Sequence, residues 1–245
     1  MNRRWAALAA AIVTALSGAA ARADSGERTI PTAGARVLEL QAGDTGVTLL
    51  ADAPPGAIAV DGGASSQIAS SPAGNRLIVT ISGSGTSSTV PFAAGAATGL
   101  TIHFPEAMRL DVRISGGNVR VVDPASAVEI FDADGDVAVE GPRGAVTAES
   151  ARGNVTVSSA LSSVDVAADA GDVSAELVPG WVGAEVRMQS ATGNVRVALP
   201  PGFVGRFDVT SADGGTHDSF HAAKARTPFV WLYAPRGQIW IAPAR

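Results

Sequence analysis

The chain has 245 residues, no cysteine, a net charge of −5 and 17% charged residues, against about 25% in typical globular chains. The lack of cysteine excludes disulfides, thiolate metal sites and thiol nucleophiles. The acidic balance without a basic cluster argues against nucleic acid and anionic membrane surfaces as partners.

The first residues read as an address. Asn2, Arg3 and Arg4 form a positive start, Trp5 to Ala21 is an Ala-rich apolar run, and Ala21-Arg22-Ala23 fits a small-x-small cleavage site before Asp24. That layout predicts a signal peptide over residues 1–23. The run contains Thr14, Ser17 and Gly18 and is short for a bilayer span, so no membrane insertion is expected after cleavage. The Arg-Arg pair has no other twin-arginine context around it. The mature chain, 24–245, is expected to be a single exported domain, periplasmic, secreted or on the cell surface.

Residues 24–110 read as irregular N-terminal strands: Val37-Leu38-Glu39-Leu40, Val47-Thr48-Leu49-Leu50, Ile58-Ala59-Val60, Leu77 to Ile81 and Leu100 to Phe104. Pro54-Pro55-Gly56 and the Ser/Gly-rich Ser82 to Ser88 separate some of them as turns or loops.

Residues 111–206 keep a strict metre. Val119, Val128, Val137, Val146, Val155, Val164, Val173 and Val182 lie nine apart, and two residues after each comes Val121, Ile130, Val139, Ala148, Val157, Val166, Ala175 or Ala184. These pairs have the period of a strand with one buried face. Two residues before each Val the column is small: Gly117, Ser126, Gly135, Gly144, Gly153, Ser162, Gly171 and Gly180. The residue between runs Asn118, Ala127, Asp136, Ala145, Asn154, Ser163, Asp172 and Trp181, so Asn or Asp alternates with Ala or Ser through Asp172. The structural repeat is therefore two nine-residue strand-turn units.

The expected fold is all-β: a single-stranded β-solenoid with coils of about 18 residues, parallel strands in successive coils about 4.8 Å apart, and a core completed only by stacking. A sandwich or barrel of short hairpins is the competing reading, but hairpins do not demand alternating corner chemistry. No stretch after the leader has a helical apolar period. The metre slips by four residues after Val182, around Pro179-Gly180-Trp181, and resumes at Val195 and Val204. Residues 207–245 read as a C-terminal cap, a hairpin turning at Pro235-Arg236-Gly237, which would shield the last unpaired edge.

"NRLIVTISG" (Asn75 to Gly83), "GLTIHFPEAMRLDVRISGGNVRV" (Gly99 to Val121), the serial G-N/D-V phrases and the closing "PRGQIWIAP" resemble the bacterial putative adhesin domain family. The resemblance covers nearly the whole mature chain. It implies a β-solenoid and an adhesin-like label, and it brings no catalytic residue.

Several side-chain groups are candidates for chemistry. Gly117-Asn118, Gly135-Asp136, Gly153-Asn154, Gly171-Asp172 and Gly193-Asn194 should stack. They suit a structural turn ladder better than calcium, because nonapeptide calcium solenoids need G-G-x-G-x-D on every phrase. His217, Asp218 and His221 are the one cluster of metal-ligand types, but two His four apart on a strand lie about 13 Å from each other. Ser219 beside them has no nucleophile motif. Glu140 with Glu176, and Glu129 with Asp165, share columns two coils apart, about 9.6 Å, near the upper spacing of inverting glycosidases. They carry no evident basic partner in sequence and read as a solvated polar face. Phe229, Trp231, Tyr233 and Trp240 read as the core of the cap; the alternative is that Trp231 and Tyr233 stack a sugar ring.

These observations point to a non-catalytic, exported structural or binding module of the bacterial envelope with no cofactor and no metal. Its partner would be an envelope protein or glycan, and self-association through open faces is left open. The alternative is a glycan-active lyase or hydrolase on the same scaffold.

Overall fold

The computed structural model describes residues 28–62, 67–82, 99–211, 216–218 and 228–244. Its elements there are all strands. The N-terminal ones are β1 (Arg28–Pro31), β2 (Val37–Asp44), β3 (Val47–Leu50), β4 (Ala57–Asp61), β5 (Gln67–Ala73), β6 (Arg76–Ser82) and β7 (Leu100–His103). The repeats form β8 (Arg109–Gly116), β9 (Val119–Val122), β10 (Val128–Asp132), β11 (Val137–Glu140), β12 (Val146–Arg152), β13 (Val155–Ala160), β14 (Val164–Ala170) and β15 (Val173–Leu177). Then follow β16 (Glu185–Ser190), β17 (Val195–Leu199), β18 (Arg206–Ser211), β19 (Thr216–Asp218), β20 (Phe229–Ala234) and β21 (Ile239–Pro243).

They build two large, open, mostly parallel sheets. The first has the order β1-β4-β7-β3-β9-β11-β13-β15-β17-β21-β19 and the second β18-β20-β16-β14-β12-β10-β8-β2-β6-β5. From β8 to β17 the chain changes sheet at every corner, and each strand from β8 to β15 pairs in parallel with the one two places later. Val137 lies beside Val155 and Val155 beside Val173 in the first sheet, as Val128 lies beside Val146 and Val146 beside Val164 in the second.

Period-2 alternation puts one side of every strand between the sheets. The apolar pairs from Val119-Val121 through Val173-Ala175 are all at most 4% exposed. Each fully buried Val contributes about 1.5–3 kcal/mol relative to exposure. A single strand pair could not supply that environment.

Four expectations are corrected. The four extra residues lie in the corner 178–184, around Pro179-Gly180-Trp181 as expected, but Val182 is inside that corner and does not end the regular column: Val164 pairs with Val186 and Val173 with Val195. Val182 is 83% exposed and Val204 55% exposed, because both sit in proline-bounded corners beside Trp181 and Phe203, so Val182, Ala184 and Val204 leave the core columns.

The strands at 37–50 are not irregular. Leu38 lies beside Leu110 and Val47 beside Val119, and β2 and β3 are enclosed by β6 and β7 on their other sides. The regular stack therefore begins well before residue 111.

The C-terminal segment is no hairpin either. β20 and β21 belong to different sheets and slot between β16 and β18, and between β17 and β19, respectively. Gly237-Gln238-Ile239-Trp240-Ile241 repeats the Gly-Asn-Val-x-Val phrase at residues 193–197, with Val195 beside Ile239. A corner of the repeat type sends the chain across rather than back. β20 and β21 are thus enclosed on both sides, whereas at the other end β1 and β5 are edge strands, and β1, β4 and β5 pair antiparallel.

Candidate binding face

The corner column forms a hydrogen-bonded ladder. The backbone N–H of Asp136 donates to Asn118 Oδ1 (3.0 Å), that of Asn154 to Asp136 Oδ1 (2.7 Å), that of Asp172 to Asn154 Oδ1 (2.8 Å) and that of Asn194 to Asp172 Oδ1 (2.8 Å). Gln238 N–H continues it onto Asn194 Oδ1 (3.0 Å). Side-chain oxygens thereby satisfy corner amides that the parallel ladders do not reach.

The Asp/Asn alternation has a further reason that sequence reasoning missed. Each Asn following an Asp donates a second bond, through Nδ2, to the same carboxylate: Asn154 to Asp136 and Asn194 to Asp172, both at 3.1 Å. The glycines beside these residues stack backbone on backbone. A Cβ on Gly135, Gly153, Gly171, Gly193 or Gly237 would collide with the carbonyl of the glycine one repeat before.

Among the described residues, no group of three or more His, Asp or Glu side chains is arranged to hold a metal ion. His217 and Asp218 lie on β19, while Ser219 and His221 lie outside the described residues. The carboxylates judged to lack a basic partner in sequence do not all lack one. Arg120 donates to both oxygens of Glu140 (2.9 and 2.8 Å), and Arg109 donates to Glu129 (2.7 Å). These arginines sit one strand away in the same sheet, and their reach cannot be seen in linear sequence.

The outward face of the second sheet gathers the remaining groups. Register places Glu129, Thr147, Asp165, Arg187, Trp231 and Asp208 in one row across adjacent strands. The next row carries Phe131, Glu149, Ala167, Gln189 and Tyr233. Burial, with like charge from Asp165, Asp169 and Glu129, raises the pKa of Glu149 above its ordinary value. Burial raises Asp165 too; Arg187 opposes this and Glu185 adds to it.

The aromatics at the other end are not the core of a cap. Alternation along β20 turns Val230, Leu232 and Ala234 inward, each fully buried, and leaves Phe229, Trp231 and Tyr233 half-buried on the outside. Trp231 and Tyr233 stack at 5.5 Å between centroids and 4° between planes. The Arg187 guanidinium lies 5.7 Å from the Trp231 ring centre, and that of Arg206 lies 5.5 Å from Phe229. Stacked rings with guanidinium neighbours form a stiff apolar ridge with charged flanks.

A second cluster escaped sequence reasoning entirely. His103 on β7 has Asp52 at 2.7 Å from Nδ1 and Asp61 at 3.2 Å from Nε2. Only the antiparallel placement of β4 beside β7 brings Asp61 there.

No protein-family model matches the chain, and no curated protein matches it. It is similar to a solved structure of a "putative cell adhesion protein" from Clostridium sporogenes, with 12% identity and a TM-score of 0.41 over 89% of this chain and 99% of that one.

Proposed function

We propose that the chain is a β-solenoid with coils of about 18 residues, exported after removal of residues 1–23, that acts as a non-catalytic, adhesin-like binding module of the bacterial envelope. Its binding face is the outside of the second sheet, and its partner is an envelope glycan. The observation that carries this reading is the outward, half-buried ridge of Phe229, Trp231 and Tyr233, which shares one sheet face with Arg187 and the carboxylates of Asp165, Glu149 and Glu129. Aromatic edges and faces offer sugars apolar contact while carboxylates accept hydroxyl hydrogen bonds. Glu129 and Glu140 are engaged by arginines on open sheet faces, an arrangement that suits a stiff surface better than a pair of catalytic groups flanking one bond.

A glycan-active lyase or hydrolase on the same face is the second reading. It is favoured by the raised proton affinity of Glu149 and Asp165 on neighbouring strands, the kind of environment that tunes catalytic acids.

Both are tested by retention on isolated peptidoglycan and on an immobilised envelope polysaccharide, with the sugar chains analysed afterwards. Trp231→Ala with Tyr233→Ala should weaken retention about tenfold or more, roughly 1.4 kcal/mol, while the melting temperature is followed separately. Undiminished retention by the double variant overturns the proposed face, and shortened chains after incubation with wild type establish the enzyme.

A further inference from the structure

Asp132 closes β10 with its side chain turned inward, at a column that runs Ile114, Asp132, Ser150, Ala168 and Ser190 through adjacent strands of the second sheet. Two other members of that column show what it does. Ser150 Oγ donates to the Gly135 carbonyl (2.9 Å), and Ser190 Oγ donates to the Gly171 carbonyl (2.7 Å). In each case a side-chain proton ties the strand end to the glycine corner one repeat earlier. The glycine at the corresponding corner for Asp132 is Gly117.

The Asp132 carboxyl is placed for the same bond but, if ionised, has nothing to donate. Its Oδ1 accepts the Asp134 N–H (3.0 Å). Its Oδ2 is buried with no hydrogen-bond partner, whereas native buried polar groups almost always have one. The Gly117 carbonyl oxygen and Asp132 Oδ2 border the same gap at Gly135, since a Cβ there would strike both. An ionised Oδ2 and a carbonyl oxygen brought together out of water repel; one proton between them makes a charge-free hydrogen bond.

We infer that Asp132 keeps its carboxyl proton in mildly acidic solution and gives it up around neutrality, and that the protonated group donates Oδ2–H to the Gly117 carbonyl, a proton-dependent staple between successive repeats. The staple forms and breaks by one proton exchanged with solvent, and no other reactant is needed. On the β8 side the column neighbour Ile114 and the adjoining Gly116 carry no charge, and Asp44 beyond them lies against Gly116. On the β12 side Ser150 is neutral, and Arg152 is occupied by Asp134 (2.8 Å). On its own loop, Asp134 and Asp136 add negative potential. Accordingly burial, with these two carboxylates, pushes the Asp132 pKa up to about 7 against the opposing Asp134 N–H.

The sign follows. A carboxyl whose folded pKa lies above its unfolded value stabilises the fold fully below the unfolded value, near 3.8. That contribution is lost as pH rises towards about 7. Across this window the folding equilibrium should weaken by about tenfold per pH unit from this group alone. The corner it holds also carries the Asn118–Asp136 rung, so its loss would loosen the turn ladder at one defined repeat.

The test is the melting temperature of the full mature chain between pH 5 and pH 8 for wild type, Asp132→Ser and Asp132→Asn. In parallel, the carboxyl carbon of Asp132 is titrated by NMR in wild type. Wild type should lose stability as pH rises, Asp132→Ser should keep the donor and lose that slope, and the carboxyl should titrate near neutrality. Equal slopes in wild type and Asp132→Ser, or a carboxyl that titrates in the ordinary Asp range, overturn the staple. A melting temperature raised by calcium in wild type and not in Asp132→Asn overturns it as well, because Oδ2 would then be a metal ligand. Should a variant fail to fold, the wild-type titration decides.

Discussion

Gly153→Ala adds one methyl group where two successive corners touch backbone to backbone. The added Cβ would lie against the Gly135 carbonyl carbon and oxygen and within 3.0 Å of Asp136 N. None of these atoms belongs to a flexible side chain. Gly153 also holds φ at 151°, in the region that favours glycine.

Relief requires moving one corner away from the other. That corner is pinned by Asn154 N–H to Asp136, by Gly153 N–H to the Ala170 carbonyl (2.9 Å) and by Val155 N–H to the Asp172 carbonyl (3.0 Å). Overpacking a well-filled site costs about 1–3 kcal/mol, and stretching one or two of these bonds adds about 1 kcal/mol each. The expected loss is therefore about 2–5 kcal/mol.

Gly43→Ala is the control, because nothing lies within 4 Å of its Cβ position and its backbone suits any residue. It should change stability by at most about 0.5 kcal/mol. Urea unfolding of the two variants beside wild type provides the comparison. A Gly153→Ala midpoint indistinguishable from that of Gly43→Ala would refute the close stacking of corners.

The inward and outward sides of one strand should respond oppositely: Val155 is fully buried and Thr156 exposed. Val155→Asp should cost several kcal/mol and Thr156→Asp little in thermal melts. The corrected register separates Val182 from Val186, so Val186→Ser should destabilise by about 2 kcal/mol or more while Val182→Ser is near neutral by the same measurement. The ladder makes a prediction about calcium. With the Asp136 and Asp172 carboxylates accepting amide hydrogens, a chelator should leave the melting temperature unchanged; a marked fall, abolished by Asp136→Asn, would show an ion in the corners.

Local pattern carried much of the architecture. A Val every nine residues with its apolar partner two places on is a statement about which side of a strand is buried, and Val119 through Val173 are buried accordingly. The Gly-Asn/Asp columns were legible for the same reason: a corner that recurs at constant spacing must meet its own copy.

What the pattern could not carry was order in space. Gly237-Gln238-Ile239-Trp240-Ile241 has the repeat's own grammar, but its partner Val195 lies 44 residues earlier. Nothing local says that β20 and β21 slide inside β18 and β19 instead of ending the stack. Nor does the sequence rank the corners at 178–184, where tight turns expel Val182 and pass its core place to Val186. The binding face shows the same division. Alternation in "FVWLYA" determines that Phe229, Trp231 and Tyr233 share a side, but whether that side meets core or water depends on which sheet encloses β20. The acidic row beside the aromatics, the arginine partners of Glu129 and Glu140, and the unpaired oxygen of Asp132 exist only once strands far apart in sequence lie about 4.8 Å apart, because charge and hydrogen bonding act over distances that a linear spacing does not measure.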